Sequence, residues 1–301
     1  MQKHILLTGG SGLIGKHLTR ILLDKGYLVS HLSRSPAETP GVKTYLWDVG
    51  KNEIDPNCVD GVDTIVHLAG AGVADQRWTD RRKKELVESR TKSIWLIYDL
   101  LKGKKHKVTS VVSASATGFY GDRGEQLLTE TTPPSADFLA EVCLKWEVAV
   151  DDGADLGLRI VKLRTGIVLD KNGGALPKMA SPVNWGVGSP LGNGKQWMPW
   201  IHWRDVVDMY LYAMTESKLH GVFNMVSPNP ATNRNFTKAV AKTLHKPLWA
   251  PNVPAFAIKL LLGEMSIAVL ASTKVSAQKI EDAGFVFKYP DIASALKEIY
   301  E

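Results

Sequence analysis

The chain opens with an unbroken apolar run, Ile5-Leu6-Leu7, closed by Thr8 and a glycine-rich turn. From Leu13 apolar residues recur at helical spacing. A short continuous apolar run bounded by a turn predicts a buried strand, and the period that follows predicts a helix packed on it. The alternation then repeats. A helix runs to about Lys25 and is closed by Gly26, and strands are predicted over 27–32, 42–47 and 63–70. A long helix over 80–101 carries Leu86, Ile94, Ile97 and Leu101 on one stripe. A strand over 108–112 precedes a helix over 138–150, entered through Pro133-Pro134-Ser135 and capped by Asp137, and a strand covers 159–163. This order predicts an α/β, Rossmann-type doubly wound parallel sheet.

Near Asp170 the texture changes. Glycines at 173, 174, 186, 188, 192 and 194 are interleaved with Trp185, Trp197, Trp200 and Trp203. The expected division is a nucleotide-binding domain over 1–169, to which 200–232 returns, and a smaller C-terminal substrate-binding subdomain from 170–199 and 233–301. Two readings of the tryptophans stand: aromatic walls of a substrate pocket, or core filling of a loop-rich subdomain. His202 reads as a structural hydrogen bonder.

The first turn carries the chemistry. In Thr8-Gly9-Gly10-Ser11-Gly12-Leu13-Ile14-Gly15, Gly9 can take a positive φ. Gly12 lets backbone approach a pyrophosphate, and Gly15 lets the helix pack closely. The helix start at Leu13 and Ile14 offers free N–H groups and a positive dipole end to phosphates. At the end of the second strand, where an acid would hold a ribose 2′-hydroxyl, stand Ser33-Arg34-Ser35. A guanidinium and two hydroxyls suit a 2′-phosphate, so the expected cofactor is NADP rather than NAD. Asp48 either meets an adenine or caps its own turn. Leu68, Ala69 and Gly70 end a strand where the ligand crevice is expected.

Arg90 lies on the core-facing stripe of the long helix, so it is either a buried ion pair or a ligand contact. Trp78 walls the crevice or staples the helix start. Ser113 and Ser115, before the Tyr120-Gly121 turn, bring hydroxyls toward a reacting carbon. Ser115 is the preferred one, and Ser113 is assigned to the cofactor.

Composition changes the picture little. The 301 residues are 44% hydrophobic and 23% charged, with net charge +6 and two cysteines. No apolar stretch is long enough to span a bilayer, no disulfide framework is expected, and the start at Ile5 leaves no room for a signal peptide. These point to a cytoplasmic protein. Arg81 to Lys84 and Lys102 to Lys107 read as solvated helix ends, with no nucleic-acid or membrane partner and no metal expected.

Taken together, the chain resembles the extended short-chain dehydrogenase/reductase superfamily in its nucleotide-sugar-epimerase-like branch. The motifs are Thr8-Gly9-x-x-Gly12-x-x-Gly15, His67-Leu68-Ala69-Gly70, Ser115 before Tyr120-Gly121, Arg164, and Ile201-His202-x-x-Asp205. It is similar to an atypical subgroup labelled "epimerase family protein" in Arg77-Trp78-Thr79, Ser89-Arg90, Ser227-Pro228-Asn229-Pro230 and a C-terminal piece with Leu262-Gly263-Glu264 and Gly284-Phe285-Val286-Phe287. The superfamily's catalysts are a tyrosine and a lysine four apart on the helix that here begins at Phe138. With Glu147 as the family's downstream acid, those places are Leu139 and Cys143; with Lys145 as the lysine, the tyrosine place is Glu141. Neither register supplies the pair.

The expected function is therefore an NADP-binding oxidoreductase or epimerase-like enzyme for a small polar substrate, with Tyr120, Ser115 and Arg90 as a rebuilt catalytic set. The resemblance implies a sugar-nucleotide-like substrate. The alternative is a non-catalytic NADP-binding redox sensor or regulator. Monomer and homodimer are both open.

Overall fold

The structure, a computed structural model, describes residues 2–301. The first part of the chain alternates strand and helix: β1 (His4–Thr8), α1 (Leu13–Asp24), β2 (Leu28–Ser33), β3 (Val42–Asp48), β4 (Glu53–Ile54), β5 (Thr64–His67), α2 (Asp80–Gly103), β6 (Ser110–Ala116), β7 (Leu127–Leu128), α3 (Phe138–Asp151) and β8 (Arg159–Thr165). There follow β9 (Ile167–Asp170), β10 (Gly173–Gly174), α4 (Leu176–Asn184), β11 (Trp197–Met198), β12 (Trp200–His202), α5 (Trp203–Thr215) and β13 (Gly221–Met225). The chain ends with β14 (Ala231–Thr232), α6 (Asn233–Thr243), α7 (Ala255–Leu262), α8 (Ile267–Leu270), β15 (Lys274–Val275), α9 (Gln278–Asp282) and α10 (Ile292–Tyr300).

The main sheet has the order β13-β8-β6-β5-β1-β2-β3-β4, parallel throughout except for β4, which pairs antiparallel with β3. The chain winds outward in one direction from β1 and in the other from β5. The switch point, and with it the crevice, therefore lies between the carboxyl ends of β1 and β5. Alternate strand residues feed two cores, as a period of two requires. Leu7, Val66, Val112 and Leu163 pack with α1 and α5, while Leu6, Ile65, Val111 and Ile160 pack with α2 and α3.

β5 stops at His67, so Leu68, Ala69 and Gly70 leave the sheet, and β6 runs on to Ala116 rather than ending near 112. Of the segment 200–232, β13 forms the edge of the main sheet and α5 packs on it, whereas β12 pairs with β9 and β14 with β11 in small separate sheets. A third core, around Trp200, Phe236, Val240 and Leu296, belongs to the remaining lobe. This lobe is tied to α1. His17 Nε2 meets Asp170 Oδ2 at 2.5 Å and its ring stacks on Trp203 at 4.2 Å. Leu13 lies under β10, 2.9 Å from where a Cβ on Gly173 would stand.

Candidate functional site

The turn after β1 is built for backbone proximity. Gly9 has φ +71°, and a Cβ there would stand 2.9 Å from the Leu68 carbonyl. Gly12 N–H donates to Gly9 O at 3.0 Å and closes the turn. A Cβ on Gly15 would stand 2.3 Å from Gly9 O, so this glycine packs the helix against the turn itself. Gly10 is equally constrained, by the buried His31 ring 2.4 Å from its absent Cβ. Sequence reasoning assigned Gly10 no role, because the partner comes from β2.

No side chain caps α1 and its first turn holds no acid. The Leu13 and Ile14 amides therefore point out with no protein acceptor, which is the feature an anion needs. Thr8 Oγ1 accepts from Leu68 N and Ala69 N at 3.1 and 3.0 Å and fixes the facing loop to the same turn.

At the end of β2, Arg34 and Ser35 are exposed and Ser33 is half-buried. The one bond within the group runs from Ser35 N to Ser33 Oγ, at 3.3 Å. Arg34 has no carboxylate or hydrogen-bond partner among the described residues. Of the two readings of Asp48, the structure shows the turn cap. Its Oδ1 accepts from the Gly50 and Lys51 amides at 2.9 and 3.1 Å, so the carboxylate caps its own turn.

On the other side of the switch point, Arg90 reaches from α2 under the loop after β5. It donates to Leu86 O at 2.8 Å and Ala71 O at 3.0 Å, and lies 5.0 Å from the centre of the Trp146 ring. A Cβ on Gly70 would stand 3.0 Å from Arg90 Cζ, so glycine at 70 makes room for the guanidinium. Arg90 forms no ion pair among the described residues, which removes the reading as a buried structural pair. Burial draws its pKa down, and most of its five N–H donors have no protein acceptor. Trp78 Nε1 donates to Val73 O at 2.9 Å, and its ring meets Phe138 edge-on at 5.2 Å.

Three expected site hydroxyls are turned inward instead. Ser113 is fully buried, with Oγ 3.3 Å from His67 Nδ1, so it faces the α2–α3 layer and does not reach the crevice. Ser115 lies two residues on, on the same side of β6. It is buried and donates to Glu147 Oε1 at 2.6 Å. Tyr120 is wholly buried. Its hydroxyl donates to Asn224 Oδ1 at 2.6 Å and accepts from Arg164 Nη1 at 2.9 Å, and burial pushes its pKa up to about 12. A phenol so held cannot serve as an acid or base at the crevice. Arg164 also grips Glu147 in a fork, Nε and Nη2 each at 2.8 Å. Ser115, Glu147, Arg164, Tyr120 and Asn224 thus form one satisfied polar network inside the fold.

His202 is likewise structural, with Nδ1 accepting from Arg204 N at 3.1 Å and Nε2 bonded to Glu298 at 2.8 Å. No group of three or more His, Cys, Asp or Glu that could hold a metal occurs among the described residues.

The model of the NAD dependent epimerase/dehydratase family matches residues 5–226, and that of a domain of unknown function, DUF1731, matches residues 253–299. The chain belongs to the NAD-dependent epimerase/dehydratase family. It is 33% identical over 298 residues to the epimerase family protein YfhF of Bacillus subtilis, covering 98% of this chain and 97% of the relative. It is 35% identical over 307 residues to the chloroplastic epimerase family protein SDR39U1 homolog of Arabidopsis thaliana, covering 100% of this chain and 87% of the relative. Among solved structures, it is similar to the human epimerase family protein SDR39U1 (isoform 2) with NADPH. The TM-score is 0.86 at 29% identity, over 99% of each chain.

The two registers left open by the sequence lie on opposite faces of α3. Leu139 Cβ and Cys143 Sγ lie 3.3 and 3.8 Å from where a Cβ on Gly118 would stand, and Glu147, the next residue on that stripe, holds Ser115. Glu141 and Lys145 are exposed and paired with each other at 2.6 Å. The inward face of α3 thus carries Leu139 and Cys143, and the outward face carries Glu141 and Lys145. Neither inward residue replaces the lost chemistry: one is a hydrocarbon, and burial pushes the Cys143 thiol up to about 12.

Proposed function

We propose that the protein is an NADP(H)-dependent oxidoreductase of epimerase-like fold that works without a side-chain proton shuttle. The observation that carries this reading is the asymmetry of the crevice. The nucleotide end offers uncapped α1 amides, close-packed glycines and an unpartnered Arg34. At the reacting end, hydrocarbon and an inert thiol occupy the inward face of α3.

In this reading, Gly9, Gly12, Leu13, Ile14 and Gly15 hold the diphosphate through backbone amides and the helix dipole. Ser33, Arg34 and Ser35 hold the 2′-phosphate, and Leu68, Ala69 and Gly70 form the apolar wall. NADPH bound there supplies a hydride. The Arg90 guanidinium lies against that wall, 3.0 Å from where a Cβ on Gly70 would stand, and its unpartnered N–H donors orient the substrate or the nicotinamide amide. Epimerisation needs a base to take a hydroxyl proton, and no titratable side chain stands at Leu139 or Cys143. A one-way reduction that takes its proton from water fits better. The substrate is a small polar carbonyl compound; a sugar nucleotide rests on family membership alone.

A second reading, an NADP-binding sensor or regulator, is favoured by one observation: the Ser115 and Tyr120 hydroxyls are both committed to internal partners. The two readings separate on incubation with NADPH deuterated at either face of C4 and a panel of aldehydes, ketones and quinones. Stereospecific loss of label from one face supports the oxidoreductase. Tight NADPH binding with label retained against every acceptor supports the sensor and overturns the enzyme.

A further inference from the structure

The positive excess is not spread evenly. Residues 171–200 contain three lysines and residues 217–263 contain six lysines or arginines, and neither segment has a single Asp or Glu. Because the net charge is +6, the rest of the chain is net negative. The runs that look basic in sequence are largely neutralised: Arg82 pairs with Glu85, Lys83 with Glu264, Lys84 with Glu88, Lys104 with Asp60 and Lys107 with Asp63. By contrast, Arg234, Lys238, Lys242 and Lys246 recur every four residues along and just beyond α6. All four are exposed, and none is in an ion pair among the described residues. Like charges at this spacing repel along a helix, so the row costs stability; it holds no carboxylate, and Arg234 Nη2 donates only to Asn193 O, at 3.1 Å.

The same lobe exposes large apolar side chains. On α7, Phe256 is 74%, Leu260 80% and Leu261 69% exposed; Trp185 at the end of α4 is 83% exposed and Trp249 71%. Ile258 is the one buried residue of α7. The loop over 189–194 is hydrogen-bonded both to the start of α6 and to the segment before α7. Gly194 O accepts from Arg234 N at 2.9 Å, and Gly192 N donates at 2.8 Å to Val253 O, in the segment that enters α7.

We propose that this lobe docks on an anionic lipid bilayer, contrary to the expectation of no membrane partner. Charge complementarity selects anionic headgroups for the α6 row. The exposed tryptophans suit the headgroup level, and Phe256, Leu260 and Leu261 suit the acyl boundary beneath it. Nucleic acid would meet the cations but gives no partner for the aliphatic side chains of α7. The attachment is peripheral: among the described residues, no helix is long and apolar enough to cross a membrane.

Flotation of the full chain with phosphatidylcholine vesicles, with and without one-third phosphatidylglycerol, tests this. The expected result is co-flotation with anionic vesicles only, lost at high salt, and weakened about tenfold or more by Lys238→Glu/Lys242→Glu. Phe256→Ser/Leu260→Ser should also weaken it. Both variants should bind NADPH as the parent does, which shows that they fold. No co-flotation, equal binding to neutral vesicles, or binding indifferent to charge reversal would overturn the proposal. So would a charge-reversal defect seen with a single-stranded oligonucleotide but not with vesicles, or a stable dimer that buries the α6 row.

Discussion

The Ser115 hydroxyl donates to Glu147 Oε1 across 2.6 Å, in the interior of the fold. That bond ties the end of β6 to α3, and the forked Arg164 neutralises the carboxylate it uses. Glu147→Ala should therefore leave Arg164 buried and unpaired, at about 3–5 kcal/mol. Urea unfolding of the variant is the check; a loss below 1 kcal/mol, on the order of a single surface contact, would show that the network is not what holds α3.

Tyr120 belongs to the same network. Tyr120→Phe should lower stability by about 1–3 kcal/mol through the orphaned Asn224 and Arg164 groups, and leave NADPH affinity and any turnover intact. Kinetic loss without loss of stability would return Tyr120 to the reacting end.

Gly15 has no room for a methyl group. Gly15→Ala must push the turn away from Gly9 O, which stands 2.3 Å from the new Cβ. The expected cost is about 1–3 kcal/mol of stability, together with weaker NADPH binding by calorimetry. Unchanged affinity would mean that the turn does not carry the diphosphate.

His67 makes stability depend on pH. Burial, and then the Arg90 charge, lower its pKa from 6.5 to about 3, so the native state holds it neutral. Its contribution is fully present above pH 6.5, where the unfolded chain is neutral too, and is lost as the pH falls toward 3. Across that window the slope from this one group is about 1.4 kcal/mol per pH unit. Urea midpoints of the parent should fall on acidification between pH 6 and about pH 5, more steeply than those of His67→Gln. Parallel slopes would contradict this.

The features legible in the sequence are the local ones. The glycine turn, Asp137 as the cap of α3 and Arg34 at the end of β2 each depend on neighbours within a few residues. The inward hydroxyls were not legible, because their partners are distant in the chain: Ser115 meets a residue 32 positions away and Tyr120 one 104 away. The period of two does put Ser113 and Ser115 on one side of β6, but which side faces α3 is decided by packing. The register of α3 was left open for the same reason, since only the approach to Gly118 distinguishes Leu139 and Cys143 from Glu141 and Lys145. Arg90 was legible as an anomaly, a charge on an apolar stripe, but not as a cation held by carbonyls and Trp146.

Calorimetric titration of NADPH and NADH into the parent and Arg34→Asp tests the central claim most directly. The account predicts one site, preference for NADPH of about tenfold or more, as a charge-assisted contact provides, and loss of that preference in Arg34→Asp. No binding heat with either nucleotide, or a preference untouched by the substitution, would contradict it.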